Sequence, residues 1–152
     1  MKQSKERTNF TKIRVQNVQV RVQHIIDGVM ATSSNLLELF LQDIDVVPQE
    51  CSKLASDPRV ANLKHLDLSC NHIGFIGLCN LLKKNSYLGK LEQLKLYSCG
   101  IESDFDHRKM IDNIKLTDLQ SLNLSHNDLC DSENLLEFLF SAEFGLIHDM
   151  LD

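Results

Sequence analysis

The sequence predicts an α/β solenoid, a curved parallel β-sheet with helices on its convex side, and three observations predict it. The segment Leu63 to Ile73, LKHLDLSCNHI, returns as Leu91 to Ile101, LEQLKLYSCGI, and again as Leu119 to Leu129, LQSLNLSHNDL, each copy 28 residues after the last. Self-similarity at a fixed period of this length is the mark of stacked repeats. Within each copy, leucines alternate with polar residues: Leu66 and Leu68 among His65, Asp67 and Ser69, then Leu94 and Leu96, then Leu122 and Leu124. That is the period of a strand buried on one face. After the strand of the first copy, Gly77, Leu78, Leu81 and Leu82 fall at the spacing of a helix with one apolar face. A unit this small cannot enclose a core by itself, so its leucines are buried only by stacking on the neighbouring units.

Each element can be justified in turn. Residues 1–10 are polar, charged and without periodicity, as in an exposed arm. From Ile13 to Val22 the run IRVQNVQVRV is rich in β-branched residues and predicts a strand. Its Val15, Val18, Val20 and Ile25 echo the repeat, but Val15 lies only 21 residues before Leu36, too few for a full copy. The expected organisation is therefore a basic N-terminal arm with a candidate capping strand over residues 1–24 and a repeat domain over residues 25–152. Leu36, Leu39, Leu41, Ile44 and Val46 restore the pattern, with Ile44 where later copies carry Asn71, Cys99 and Asn127. An Asn at that place satisfies backbone groups that the turn leaves unpaired, and a buried Cys fits the same space with a weaker hydrogen-bonding group. The turn at Ile44 must find its hydrogen bonds elsewhere.

Pro48 opens a short helical segment that ends near Asp57-Pro58. The following unit's helix ends near Asn85-Ser86. In the next, Phe105, Met110, Ile111 and Ile114 form the helical face, with Asp104 or Asp106 as cap. Leu135, Leu136, Phe138, Leu139 and Phe140 do so in the last, behind Asp131, Ser132 and Glu133. Ile147 and Met150 again fall at the spacing of a repeat start, so LIHDMLD reads either as a short cap or as the opening of a further unit in a longer solenoid.

The repeated residues resemble the leucine-rich-repeat family, whose pattern L-x-x-L-x-L-x-x-N/C-x-L all three copies fill, and the resemblance covers roughly residues 36–146. The 28-residue period is similar to that of the ribonuclease-inhibitor-like subclass, which includes the Ran GTPase-activating proteins and the repeat domains of nucleotide-binding innate immune receptors. The resemblance implies a non-catalytic protein-protein interaction module that binds a partner protein on its concave face. The alternative it allows is a regulator, activator or inhibitor, of a small GTPase or other enzyme. The functional loop residues of the Ran GTPase-activating proteins cannot be matched residue by residue here, so none is carried over.

Composition narrows the remaining classes. The chain of 152 residues is 43% hydrophobic and 24% charged, ordinary for one globular domain. Its N-terminus has no apolar leader-like run and no stretch approaches a membrane span, which predicts a cytoplasmic protein with no transmembrane segment. Five cysteines in no short-range pairing predict reduced thiols packed as small hydrophobes. Cys70, His72, Cys79 and Cys99 lack the paired spacing of a zinc site, so no metal and no other cofactor is expected. Ser125, His126 and Asp128 have no nucleophile elbow around them, and Gly74 and Gly77 form no phosphate loop, so no enzyme activity and no small-molecule substrate is expected. The net charge is −5, yet residues 1–24 carry six basic residues against Glu6 alone, and no Lys or Arg follows Lys115. Six charges so dispersed give a weak footprint for nucleic acid or an anionic membrane.

The candidate partner-binding residues follow from strand phase. If the leucines point inward, their neighbours point to the concave face: Glu38, Phe40 and Gln42; His65, Asp67 and Ser69; Gln93, Lys95 and Tyr97; Ser121, Asn123 and Ser125. Strands about 4.8 Å apart would stack these rows into columns. Asp67 would then lie beside Lys95, with Phe40 and Tyr97 as aromatic anchors. The plainer reading of the same pair is mutual neutralisation on an exposed sheet.

Overall fold

A computed structural model describes residues 10–18, 21–31, 35–102 and 118–129. Among the described residues five strands form one open sheet, in sequence order: β1 (Lys12–Gln16), β2 (Glu38–Gln42), β3 (His65–Asp67), β4 (Gln93–Lys95) and β5 (Ser121–Asn123). Every pairing is parallel, and the register joins equivalent repeat positions: Ile13 with Leu39, Leu39 with Leu66, Leu66 with Leu94, Leu94 with Leu122. The strand predicted over 13–22 is shorter than expected. It ends at Gln16, and helix α1 (Val22–Met30) takes over, burying Val22 and Ile25. Period-2 valines favoured a single strand, but Val22 and Ile25 are also three apart and share a helical face. The first strand is paired along its whole length with β2 and is an edge strand of the sheet among the described residues.

Helix α2 (Pro48–Ala55) and a 3₁₀ turn (Pro58–Val60) follow β2, and helix α3 (Gly74–Leu82) follows β3. Pro48 stands at the first helical position, where its missing N–H costs nothing. Glu50 reaches back to accept from the Val47 N–H at 3.0 Å. Helix α3 ends at Leu82, earlier than Asn85-Ser86. The inward leucines of β2 to β5 and Cys51, Leu54, Leu78, Leu81 and Leu82 of the two helices form one buried cluster. Each such leucine contributes roughly 1.5–3 kcal/mol. Gly77 lets α3 approach α2: a Cβ there would run into Ile73 Cγ2 and come within 3.3 Å of Cys51 Sγ. Asn80 Nδ2 bridges the same helices, donating to Pro48 O at 3.0 Å. The helical faces expected around Phe105 to Ile114 and Leu135 to Phe140, and the segment at Ile147 and Met150, lie outside the described residues.

The turns leaving the strands repeat as faithfully as the leucines. Asn17, Asp43, Cys70, Ser98 and His126 occupy one position in successive units, and all have φ between 51° and 60°. Four of them extend the parallel ladder into the turn: the N–H groups of Asn17, Asp43, Cys70 and Ser98 donate to Gln42 O, Ser69 O, Tyr97 O and Ser125 O. This left-handed conformation costs a non-glycine residue roughly 1–2 kcal/mol, which the ladder bond and the packed turn offset. It also corrects one expectation. Cys70 is exposed, not packed, because the reversal of backbone hand swings it away from the core, whereas Cys51, Cys79 and Cys99 are buried.

The next residue supplies the hydrogen bonds. Asn71 Oδ1 accepts from Ile44 N–H at 3.1 Å and Val46 N–H at 3.0 Å, while its Nδ2 donates to Leu41 O and Leu68 O at 2.7 Å each. The turn at Ile44 is thus satisfied from the following unit. Asn127 does the same for Cys99 N–H and Ile101 N–H, and for Leu96 O and Leu124 O.

Candidate functional site

The residues that alternate with the buried leucines share the sheet face turned away from α2 and α3. Register sets them in rows across the strands. One row is Lys12, Glu38, His65, Gln93 and Ser121, and the next is Arg14, Phe40, Asp67, Lys95 and Asn123. All eleven candidates, Glu38, Phe40, His65, Asp67, Ser69, Gln93, Lys95, Tyr97, Ser121, Asn123 and Ser125, alternate in this way with buried leucines, as does Gln42. They divide into two groups.

The first group lines a groove of about 440 Å³ at the C-terminal ends of the strands: Gln42, Asp67, Ser69, Lys95, Tyr97 and Asn123. It is joined by Gln16, Asn17, Asp43 and Cys70, which strand phase did not point to. Asn17, Asp43 and Cys70 stand at the left-handed turn position, and the recurrence of that position just before the Asn/Cys place was the available signal. Glu38, Phe40, His65, Gln93, Ser121 and Ser125 lie outside the groove.

Charges within the groove are not arranged as strand adjacency suggests. Asp67 and Lys95 are register partners, but they form no ion pair. Asp67 is only 5% exposed and its carboxylate is already occupied, accepting from Gln42 Nε2 at 2.7 Å and from the Ser69 N–H at 3.0 Å. Lys95 is exposed and its ammonium has no hydrogen-bond or ion-pair partner among the described residues. Beside it Tyr97, 37% exposed, packs its ring 4.6 Å from that of His126. Asn123 Oδ1 accepts from the Ser125 N–H and hydroxyl. Ser125 and His126 therefore face different partners and do not form a nucleophile and base.

At the other end of the face, Lys12 and Glu38 form an ion pair of 2.6 Å. The Lys12 ammonium, hydrogen-bonded to Glu38, holds that carboxyl below the usual carboxylate range. Lys12 Nζ and Arg14 Cζ both lie over the Phe40 ring, 4.8 and 4.5 Å from its centre. Such contacts are worth roughly 0.5–1 kcal/mol at an exposed site. Arg14 forms no ion pair among the described residues, although its charge also helps to hold the Glu38 carboxyl low.

Among the described residues no group of His, Cys, Asp and Glu could hold a metal ion, and no helix is long and apolar enough to cross a membrane. Burial pushes the thiols of Cys51 and Cys79 up to about 12 and that of Cys99 to about 11.

Comparison with known families places this geometry. The family described as Leucine Rich repeat matches residues 61–78 and 115–132, the stretches holding the β3 and β5 strands and their Asn71 and Asn127 turns. Those matches and the five-stranded parallel sheet support a leucine-rich-repeat family and an α/β leucine-rich-repeat solenoid. Such repeats are generally non-catalytic protein-interaction modules. A search of curated proteins finds no match to the chain.

Proposed function

We propose that the chain is a non-catalytic protein-binding module that takes its partner on the concave sheet face, at the groove between Gln42 and Asn123. The observation that carries this reading is the pairing state of Lys95. A cation without an ion-pair or hydrogen-bond partner among the described residues stands beside an exposed tyrosine, while the neighbouring Asp67 carboxylate is already hydrogen-bonded. Aromatic and cationic side chains of this kind are enriched among residues that carry binding energy. The 28-residue spacing supports the ribonuclease-inhibitor-like subclass, and thiols that are all free where described suit the reducing cytoplasm.

The test is the combined change Lys95→Glu and Tyr97→Ala, followed by thermal melting and by partner capture from native cytosol. The expected result is an unchanged melt with capture lost. A folded variant that captures its partner with undiminished affinity would move the site to the helices or to the acidic end of the chain.

A further inference from the structure

The row Arg14, Phe40, Asp67, Lys95, Asn123 is an electrostatic pattern as well as a surface. Its two cations, Arg14 on β1 and Lys95 on β4, form no ion pair among the described residues, although the chain as a whole carries −5. Of the carboxylates nearby, two are already engaged and the third is offset from the row. Glu38 is held by Lys12, Asp67 has both oxygens hydrogen-bonded, and Asp43 stands in the turn beyond the row. Between the two cations lie Phe40, half-buried, and the buried Asp67.

Spacing turns this into a specificity. Three strand intervals of about 4.8 Å set Arg14 and Lys95 about 14 Å apart across the sheet, and an extended chain covers that distance in four residues at about 3.4 Å each. In an extended segment residues four apart point to the same side, and so does the one midway between them. That middle side chain would fall over Phe40 and Asp67, where an apolar group gains contact and a third carboxylate meets Asp67.

Resting on the protein-binding reading above, we infer that the open face takes an extended acidic segment of a partner protein lying across the strands. Its carboxylates four residues apart sit on Arg14 and Lys95, and an apolar side chain between them packs on Phe40. Two isolated cations are too few for a polyphosphate backbone, whose binding grows with the number of phosphates neutralised.

The experiment uses the full chain and two short synthetic peptides of identical composition. One has glutamates four residues apart with a leucine midway; the other has the glutamates two apart. Binding is measured by fluorescence anisotropy at low and high salt, and the contacted residues by amide shifts in NMR spectra. The first peptide is expected to bind about tenfold tighter than the second, with shifts along the row. Lys95→Glu and Arg14→Glu should each weaken it about tenfold, while Lys84→Glu, an exposed charge change off this face, should leave it within about twofold. Equal affinity for the two peptides, or indifference to both row variants, would overturn the spacing rule yet leave the binding face standing if the shifts remain on the open sheet. Shifts confined to α2 and α3 would overturn both. A single-stranded oligonucleotide that displaces the peptide at lower concentration would overturn the acidic segment in favour of a polyphosphate. Absence of binding by either peptide would overturn the acidic partner, with the capture experiment still reporting on the face itself.

Discussion

Asn71 and Cys99 hold the same place in consecutive repeats and close the same turn by different means. The amide of Asn71 carries an acceptor and two donors, and it ties two N–H groups and the carbonyls of two units together. The thiol of Cys99 donates one bond, to Leu68 O at 3.2 Å, with a longer contact to Tyr97 O. Both are buried, and both fit. The difference teaches that the fold admits side chains of different size and chemistry at this place, Ile44 among them, while the strength of the joint between units depends on how many backbone groups that side chain satisfies.

The largest effect expected from breaking this comparison is at Asn71. Asn71→Ala leaves Ile44 N–H, Val46 N–H and two carbonyls without their partner in a dry turn, and should destabilise by about 3–6 kcal/mol in urea unfolding. A loss below about 1 kcal/mol would mean that water or a shifted backbone replaces the amide. Next in size is the core beneath both turns. Leu94→Ala, on the strand between them, should cost about 2–5 kcal/mol. Sharpening the comparison in the opposite sense, Cys99→Asn places an amide where the thiol stands and should stabilise by about 0.5–1.5 kcal/mol. A loss instead would show that the turn at Cys99 has closed around sulfur too tightly to admit the larger group.

Thiol labelling tests the same contrast without a mutation. At pH 8 the native protein should react rapidly at exposed Cys70, while Cys51, Cys79 and Cys99 wait for unfolding, since burial both shields them and keeps them protonated far above that pH. The smallest effect belongs to Gln93→Ala, one residue from Leu94 on the open face, which should stay within about 0.5 kcal/mol of neutral.

What the sequence disclosed, and what it hid, follows from which interactions are periodic. Leu66, Leu94 and Leu122 recur at a fixed spacing because stacking forces them to, so the sheet, its parallel sense and its inward face were legible before any coordinates. The helical segment after Pro48 was legible because proline marks a first turn. By contrast, Val22 belongs to a helix although its neighbours read as strand, since a short valine-rich run satisfies both periods. Cys70 was misplaced because strand alternation cannot foresee a reversal of backbone hand. The groove was half legible. Lys95 and Tyr97 came from strand phase, but the partner of Asp67 did not: register sets Lys95 beside it, and only the side-chain geometry shows that Gln42 and the Ser69 N–H had already taken its oxygens.

The turn asparagines also give the molecule a direction. Each one reaches backward: Asn71 secures Ile44 and Val46, and Asn127 secures Cys99 and Ile101. Loss of a unit on the C-terminal side therefore unclasps the turn of the unit before it, whereas loss on the N-terminal side leaves the turns that follow still held from ahead. Opening that starts from the C-terminal side should run backward through the stack like a ratchet released from its last tooth, and amide exchange at Cys99 and Ile101 should quicken before that at Ile44 and Val46.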